Sequence, residues 1–160
     1  MKAIFLDRDG VINDNSEHYY IYKFEQWTFN PGIEKVLKHF CDLGYELFIV
    51  SNQGGISRGI CTKEEVETLH SKIFEILGSK GIKIRDIAIC PHHNLLENCL
   101  CRKPKSLMLE KLIAKHNIDI EKSWFVGDSK TDFEAANAIN LKSIIVPANT
   151  NIFEYIGQIK

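Results

Sequence analysis

The chain has 160 residues, 44% of them hydrophobic and 26% charged, proportions that suit one soluble globular domain with a proper core. A formal net charge of -1 gives no global basic field for nucleic acid, and no apolar run reaches the roughly 20 residues that a membrane-spanning helix requires. Near the N-terminus a short apolar stretch meets Asp7, Arg8 and Asp9 at once, which is not a signal-peptide pattern. These features predict a cytoplasmic monomer, a single domain over 1–160 with neither nucleic-acid nor membrane partners, and five cysteines that are not disulfides.

In chain order, residues 2–6 read as a short buried strand closed by the polar turn Asp7-Arg8-Asp9-Gly10. Asn30-Pro31-Gly32 opens a helix on which Ile33, Val36, Leu37 and Phe40 recur at helical spacing, and Gly44 ends it. A second strand over 45–50 breaks sharply at Ser51-Asn52-Gln53-Gly54-Gly55. Thr62 and Glu65 form a capping box for the next helix, which carries Val66, Leu69, Ile73, Ile76 and Leu77 on one face. A third strand over 84–89 leads into a Cys/His-bearing loop, and a helix with Leu109, Leu112 and Ile113 follows Pro104. The fourth strand is 123–126, the fifth 141–146, with a helix over 131–138 between them. Strands alternating with helices predict an α/β fold: a doubly wound, mainly parallel sheet covered on both faces, without a large cap domain.

In such sheets ligands bind beyond the carboxyl ends of the strands. Four of the five strands end in a chemically able group: Asp7 and Asp9, then Ser51 and Asn52, then Cys90 and His92, then Asp128. A single Asp at a strand end is most simply a turn residue. Asp7, Asp9, Asp128 and Asp132 fall at two strand ends that the fold can set side by side, and clustered acids raise one another's pKa unless a cation neutralises them. A hard ion such as Mg²⁺ does so with carboxylate, phosphate and water oxygens. Phosphate also needs donors, which Ser51, Asn52, Arg102 and Lys103 supply, although an Arg-Lys pair is as often a solvated surface.

The loop after the third strand, Cys90-Pro91-His92-His93 and then Cys99-Leu100-Cys101, holds enough ligands for a closed structural Zn²⁺ site of three cysteines and one histidine. Free cytosolic cysteines are the plainer alternative. The loop at 90–101 has little apolar content to hold it without metal.

Taken as a set, Asp7-x-Asp9-Gly10-Val11, Ser51-Asn52, Lys103 and Gly127-Asp128-Ser129-Lys130-Thr131-Asp132 resemble the four motifs of the haloacid dehalogenase superfamily. The resemblance implies a Mg²⁺-dependent phosphohydrolase acting on a small phosphorylated metabolite. Asp7 is then the nucleophile that becomes phosphorylated, and Asp9 the general acid and base. Asp7, Asp128 and the Asp9 backbone carbonyl would bind Mg²⁺. Ser51 and Lys103 would hold the phosphoryl oxygens, and Asp132 would orient Lys103.

Cys-Pro-His-His followed by Cys-x-Cys-Arg-Lys-Pro is similar to the zinc-loop subgroup, which implies Cys90, His92, Cys99 and Cys101 as Zn²⁺ ligands and leaves His93 as their neighbour. Members of that subgroup act on heptose 1,7-bisphosphate or on histidinol phosphate. Ser51-Asn52-Gln53-x-Gly55-Ile56-x-Arg58-Gly59 resembles the heptose type, so removal of the 7-phosphate is the leading expectation and histidinol phosphate the alternative. Substrate contacts are expected from Asn52, Arg58, Arg102, Lys103 and Lys130. Arg58 is either a cation for a second phosphate or a solvent-facing loop residue. Ser129 stands where the subgroup carries Lys or Arg, which makes Lys130 the substitute. The rivals from other classes are a phospho-acceptor receiver domain and a zinc-binding interaction module. The receiver places its acceptor Asp after the third strand, where this chain has Cys90.

Overall fold

The computed structural model describes residues 1–160. Five strands form one sheet: β1 (Ala3–Leu6), β2 (Glu46–Asn52), β3 (Ile84–Cys90), β4 (Trp124–Gly127) and β5 (Lys142–Ile145). Every pairing is parallel and the order is β3-β2-β1-β4-β5. The four α-helices are α1 (Ile33–Asp42), α2 (Lys63–Ser79), α3 (Leu107–His116) and α4 (Lys130–Asn137). The α/β, doubly wound expectation therefore holds, with a sheet that is wholly rather than mainly parallel.

Alternation along the strands builds two cores. Ile4, Leu6, Leu47, Ile49, Val126 and Ile144 point to the face covered by α1 and α2, where Val36, Leu37, Phe40, Leu69 and Ile73 pack on them. Ala3, Phe5, Phe48, Val50 and Phe125 point to the other face, against Met108, Leu109 and Leu112 of α3 and Ala135 and Ala136 of α4. Strands buried on both faces read as unbroken apolar runs, which is why AIFL and LFIV carry no polar alternation. Truncating a side chain such as Phe40, wholly buried, costs about 3–5 kcal/mol in a close-packed core.

Helix starts follow their sequence signals. Thr62 Oγ1 accepts from the Glu65 N–H at 3.1 Å while the Glu65 carboxylate accepts from the Thr62 N–H at 2.9 Å, the expected reciprocal cap. Gly32 takes φ +72° before α1, and Gly44 takes φ +81° after it. Strand and helix ends differ from the sequence reading by one or two residues; β2, for example, runs on through Ser51 to Asn52.

The topology sets the site. β1 lies between β2 and β4, so the carboxyl ends that carry Asp7, Ser51 and Asp128 are neighbours. From β3 the chain crosses to β4 through α3, and the segment before α3 carries Cys90 to Lys103 beside the end of β2, where Lys103 meets Asn52.

Candidate active site

The turn after β1 is tight. The Arg8 carbonyl accepts from the N–H groups of Ile12 and Asn13 at 2.8 and 3.2 Å, and Gly10 sits at φ +90°. A Cβ on Gly10 would lie 2.1 Å from Asp128 Oδ2, so only glycine lets the β1 turn and Asp128 approach this closely. Asp7 and Asp9 leave this turn into a cavity of about 350 Å³ that Gln53, His93, Arg102, Asp128 and Ser129 also line.

Lys103 lies buried behind Asp7, 3% exposed. Its Nζ is 2.9 Å from Asp7 Oδ1, 2.7 Å from Asp132 Oδ1 and donates to the Val50 carbonyl at 2.9 Å. Burial works to lower its pKa, but the two carboxylates outweigh burial and raise it, so the ammonium stays charged. Asp7 Oδ1 also accepts the Arg8 N–H at 2.8 Å, which leaves Oδ2 without a protein partner.

Asp132 works through both oxygens. Oδ1 faces Lys103, in an ion pair whose angle falls short of a hydrogen bond. Oδ2 accepts from the N–H groups of Asp128 and Ser129 at 3.1 Å and from Ser129 Oγ at 2.8 Å. Ser129 and Asp132 are thus the capping box of α4, and the helix start itself fixes the acid that faces Lys103.

A cation fits this donor set. Metal-ligating atoms of Asp7, Asp128 and Asp132 lie within 4.8 Å of one another. Burial raises the Asp7 carboxyl to about 7 against the pull of Lys103, and burial together with Asp132 raises Asp128 to about 6. Lys103 alone does not balance three acids. With Asp132 committed to Lys103 and its own helix cap, the carboxylates able to take a hard ion are Asp7 and Asp128. The Asp9 carbonyl, which accepts no hydrogen bond from the protein, completes an all-oxygen set.

The Cys/His loop closes on itself. Cys90 Sγ lies 3.0 Å from Cys101 Sγ, 3.7 Å from Cys99 Sγ and 3.6 Å from His92 Nδ1, and His92 Nδ1 lies 3.3 Å from Cys101 Sγ. Tetrahedral ligands about 2.3 Å from a Zn²⁺ ion stand ~3.8 Å apart; the distances from Cys90 to Cys99 and His92 are close to that, and Cys101 sits nearer to Cys90 and His92 than such an ion would hold it. Burial and the neighbouring thiols push the Cys90 thiol up. Backbone N–H groups of Arg102 and Cys101 prevail over burial and lower Cys99 to about 7. His93 stays outside the cluster and lines the cavity.

The residues expected at the substrate lie as follows. Asn52 lines the cavity, donates through Nδ2 to the Lys103 carbonyl at 3.1 Å and accepts the Lys103 N–H through Oδ1 at 3.0 Å; it grips the backbone of the lysine. Lys130, also expected at the substrate, has a side chain that is 86% exposed, with Nζ 3.5 Å from Glu134 on the solvent side of α4. The physical reason is the Ser129 cap, which starts the helix and turns the next residue outward. Arg102 lines the cavity and donates to the His92 carbonyl at 2.9 Å. Arg58 is more exposed and donates to Tyr20 Oη at 3.1 Å.

Three further residues hold Asp9 with no motif to announce them. Gln53 Nε2 donates to Asp9 Oδ2 at 2.9 Å and to Ser51 Oγ at 2.8 Å. Arg8 is wholly buried against Asp9, and Asn13 donates to Asp9 Oδ1 at 3.0 Å. A charge trapped between two acids at the end of an apolar strand was the available signal for Arg8.

The family model described as HAD-hydrolase-like matches residues 100–151. The D-glycero-beta-D-manno-heptose-1,7-bisphosphate 7-phosphatase of Pseudomonas putida is 38% identical over 146 residues, 91% of this chain and 82% of that protein. The chain belongs to the HAD-like hydrolases. The D-glycero-alpha-D-manno-heptose-1,7-bisphosphate 7-phosphatase of Campylobacter jejuni is 39% identical over 145 residues, 91% of this chain and 81% of that protein. Among solved structures, D,D-heptose 1,7-bisphosphate phosphatase from B. bronchiseptica, complexed with magnesium and phosphate, superposes with a TM-score of 0.86 at 28% identity. It covers 99% of this chain and 87% of its own. As a HAD-like hydrolase the chain stands among phosphoric monoester hydrolases, and the receiver-domain and interaction-module alternatives fall away.

Proposed function

We propose that this HAD-like hydrolase removes the 7-phosphate of D-glycero-D-manno-heptose 1,7-bisphosphate through a phospho-Asp7 intermediate, with residues 1–160 acting as one catalytic domain. The observation that carries the reading is the setting of Asp7. Its Oδ1 is held by Lys103 and the Arg8 N–H while Oδ2 is free to attack. The names of the relatives support the substrate.

In the first step Asp7 Oδ2 forms a bond to phosphorus as the bond to the sugar oxygen breaks, and Asp9 gives its proton to that oxygen. Lys103 and Ser51 offset charge on the phosphoryl oxygens. In the second step Asp9 takes a proton from water, water oxygen attacks the phosphorus, and Asp7 leaves as carboxylate. Asp7, Asp128 and the Asp9 carbonyl would hold Mg²⁺, which supplies positive charge so that an anionic carboxylate can approach an anionic phosphate. Support for that ion is the excess of acids over Lys103 and the magnesium in the B. bronchiseptica structure.

Cys90, His92, Cys99 and Cys101 would hold a structural Zn²⁺ that fixes the loop bearing Arg102 and Lys103. Arg102 and Arg58 both bear on His93, whose pKa is lowered by desolvation and then by these two charges. That basic rim beside the cavity suits the second phosphate of a bisphosphate. Steady-state kinetics on both anomers of the heptose bisphosphate and on histidinol phosphate test the substrate. A kcat/KM at least a hundredfold higher for a bisphosphate is the expected result. Equal or reversed values would overturn the assignment.

A further inference from the structure

Arg8 is an arginine with no access to solvent, in a chain whose other ion pairs are mostly exposed. Four of its five N–H donors have named partners. Nε and Nη2 both point at Asp9 Oδ1, at 3.2 and 2.9 Å, and Nη2 also donates to the Ile21 carbonyl at 2.7 Å. Nη1 lies 3.1 Å from Nε2 of His70, a residue of α2 that is 5% exposed and stacks on Phe74.

A guanidinium has only donors and does not lose its proton in proteins. His70 Nε2 must therefore accept, which fixes a neutral imidazole with its proton on Nδ1. Burial, then the charge of Arg8, pushes the His70 pKa down to about 3, in agreement with that state. The consequence reaches Asp9. Its Oδ1 already takes two Arg8 donors and Asn13, while Oδ2 takes only Gln53. Oδ2 is thus the oxygen with room for a proton, and Asp9 lines the same cavity as Asp7.

We infer that His70 is a positioning residue for proton transfer: by anchoring Nη1 of Arg8 it holds the guanidinium fork on Asp9 Oδ1 and so presents Oδ2 to the leaving oxygen. The inference rests on the proposed acid role of Asp9. Removing the acceptor strands a buried N–H, and Arg8 turns to find another partner. An ångström of misplacement at an acid costs about a hundredfold in rate.

The test compares two substrates in the Mg²⁺-loaded protein. An alkyl phosphate needs a proton on its departing oxygen, whereas 2,4-dinitrophenyl phosphate releases a stable phenolate without one. In His70→Phe, kcat/KM, which reports transfer to Asp7, falls tenfold or more for the alkyl ester and stays within threefold for the aryl ester. His70→Gln, whose side-chain oxygen can accept from Arg8, restores the alkyl rate to within threefold. A loss shared equally by both substrates, no loss on either, or failure of His70→Gln to restore the rate overturns the inference. Asp9→Asn distinguishes the underlying reading. It should show the same selectivity, only larger; an Asp9→Asn that hits both esters alike removes the acid role itself, whatever His70 does.

Discussion

Asn52 and Lys103 are joined in both directions: the Asn52 amide donates to the lysine's carbonyl at 3.1 Å and accepts from its N–H at 3.0 Å. The end of β2 thereby holds the backbone of the loop from β3, and so sets where Nζ enters between Asp7 and Asp132. Asn52→Ala removes both bonds, worth about 1–3 kcal/mol together. The expected outcome is a modest fall in melting temperature with a tenfold or greater loss of kcat. An unchanged kcat would show that Lys103 is placed without Asn52.

Asp132→Asn tests the other side of the lysine. It leaves a buried ammonium with one carboxylate, and breaking a buried pair costs about 3–5 kcal/mol. It also weakens the α4 cap, since one side-chain oxygen then has to replace two. Chemical denaturation should show destabilisation well above that of Lys130→Ala. Lys130 is exposed, and its variant should match the parent in both stability and kcat.

The proposed zinc site is tested by metal removal. Leu95, Leu96 and Leu100 are exposed, so the loop offers no apolar core in place of an ion. Chelation of a protein carrying one zinc per chain should lower the melting temperature and increase hydrogen exchange across 91–103 before it affects the sheet. Metal analysis without zinc, or an unaltered melting temperature after chelation, would contradict the site.

His70 makes a prediction about pH and stability. Its folded pKa of about 3 lies below the ordinary value of 6.5, so between these pH values the unfolded chain binds the extra proton. Its contribution is intact above about pH 6.5 and is lost as pH falls, by about 1.4 kcal/mol per unit. Arg8 and Asp9 are the charged groups that act on it, and the loss is set by burial and Arg8, with Asp9 opposing. Stability of His70→Gln measured from pH 7 to 5 should fall less steeply than that of the parent. Parallel curves would mean that His70 is not held neutral.

Much of this site was legible in the sequence because strand ends carry it. Asp7, Ser51 and Asp128 each follow an apolar run, and parallel neighbours bring such ends together. The cysteine and histidine pattern likewise announced a compact cluster. What could not be read was direction. Asn52 lines the cavity yet commits its amide to the Lys103 backbone, and Lys130 turns outward although it follows Asp128 by two positions. The Ser129-x-x-Asp132 spacing was a readable cap that accounts for Lys130. The Arg8–His70 contact joins residues 62 apart across a loop and a helix, and no local pattern encodes it.

The proposed reaction passes through a covalent bond between Asp7 and phosphorus. Rapid acid quenching of turnover with heptose bisphosphate labelled in the 7-phosphate should trap a stoichiometric, hydroxylamine-sensitive acyl phosphate. Peptide mapping should place it on Asp7, and Asp7→Asn should give neither label nor turnover. Turnover in Asp7→Asn, or label on another residue, would rule out Asp7 as the nucleophile.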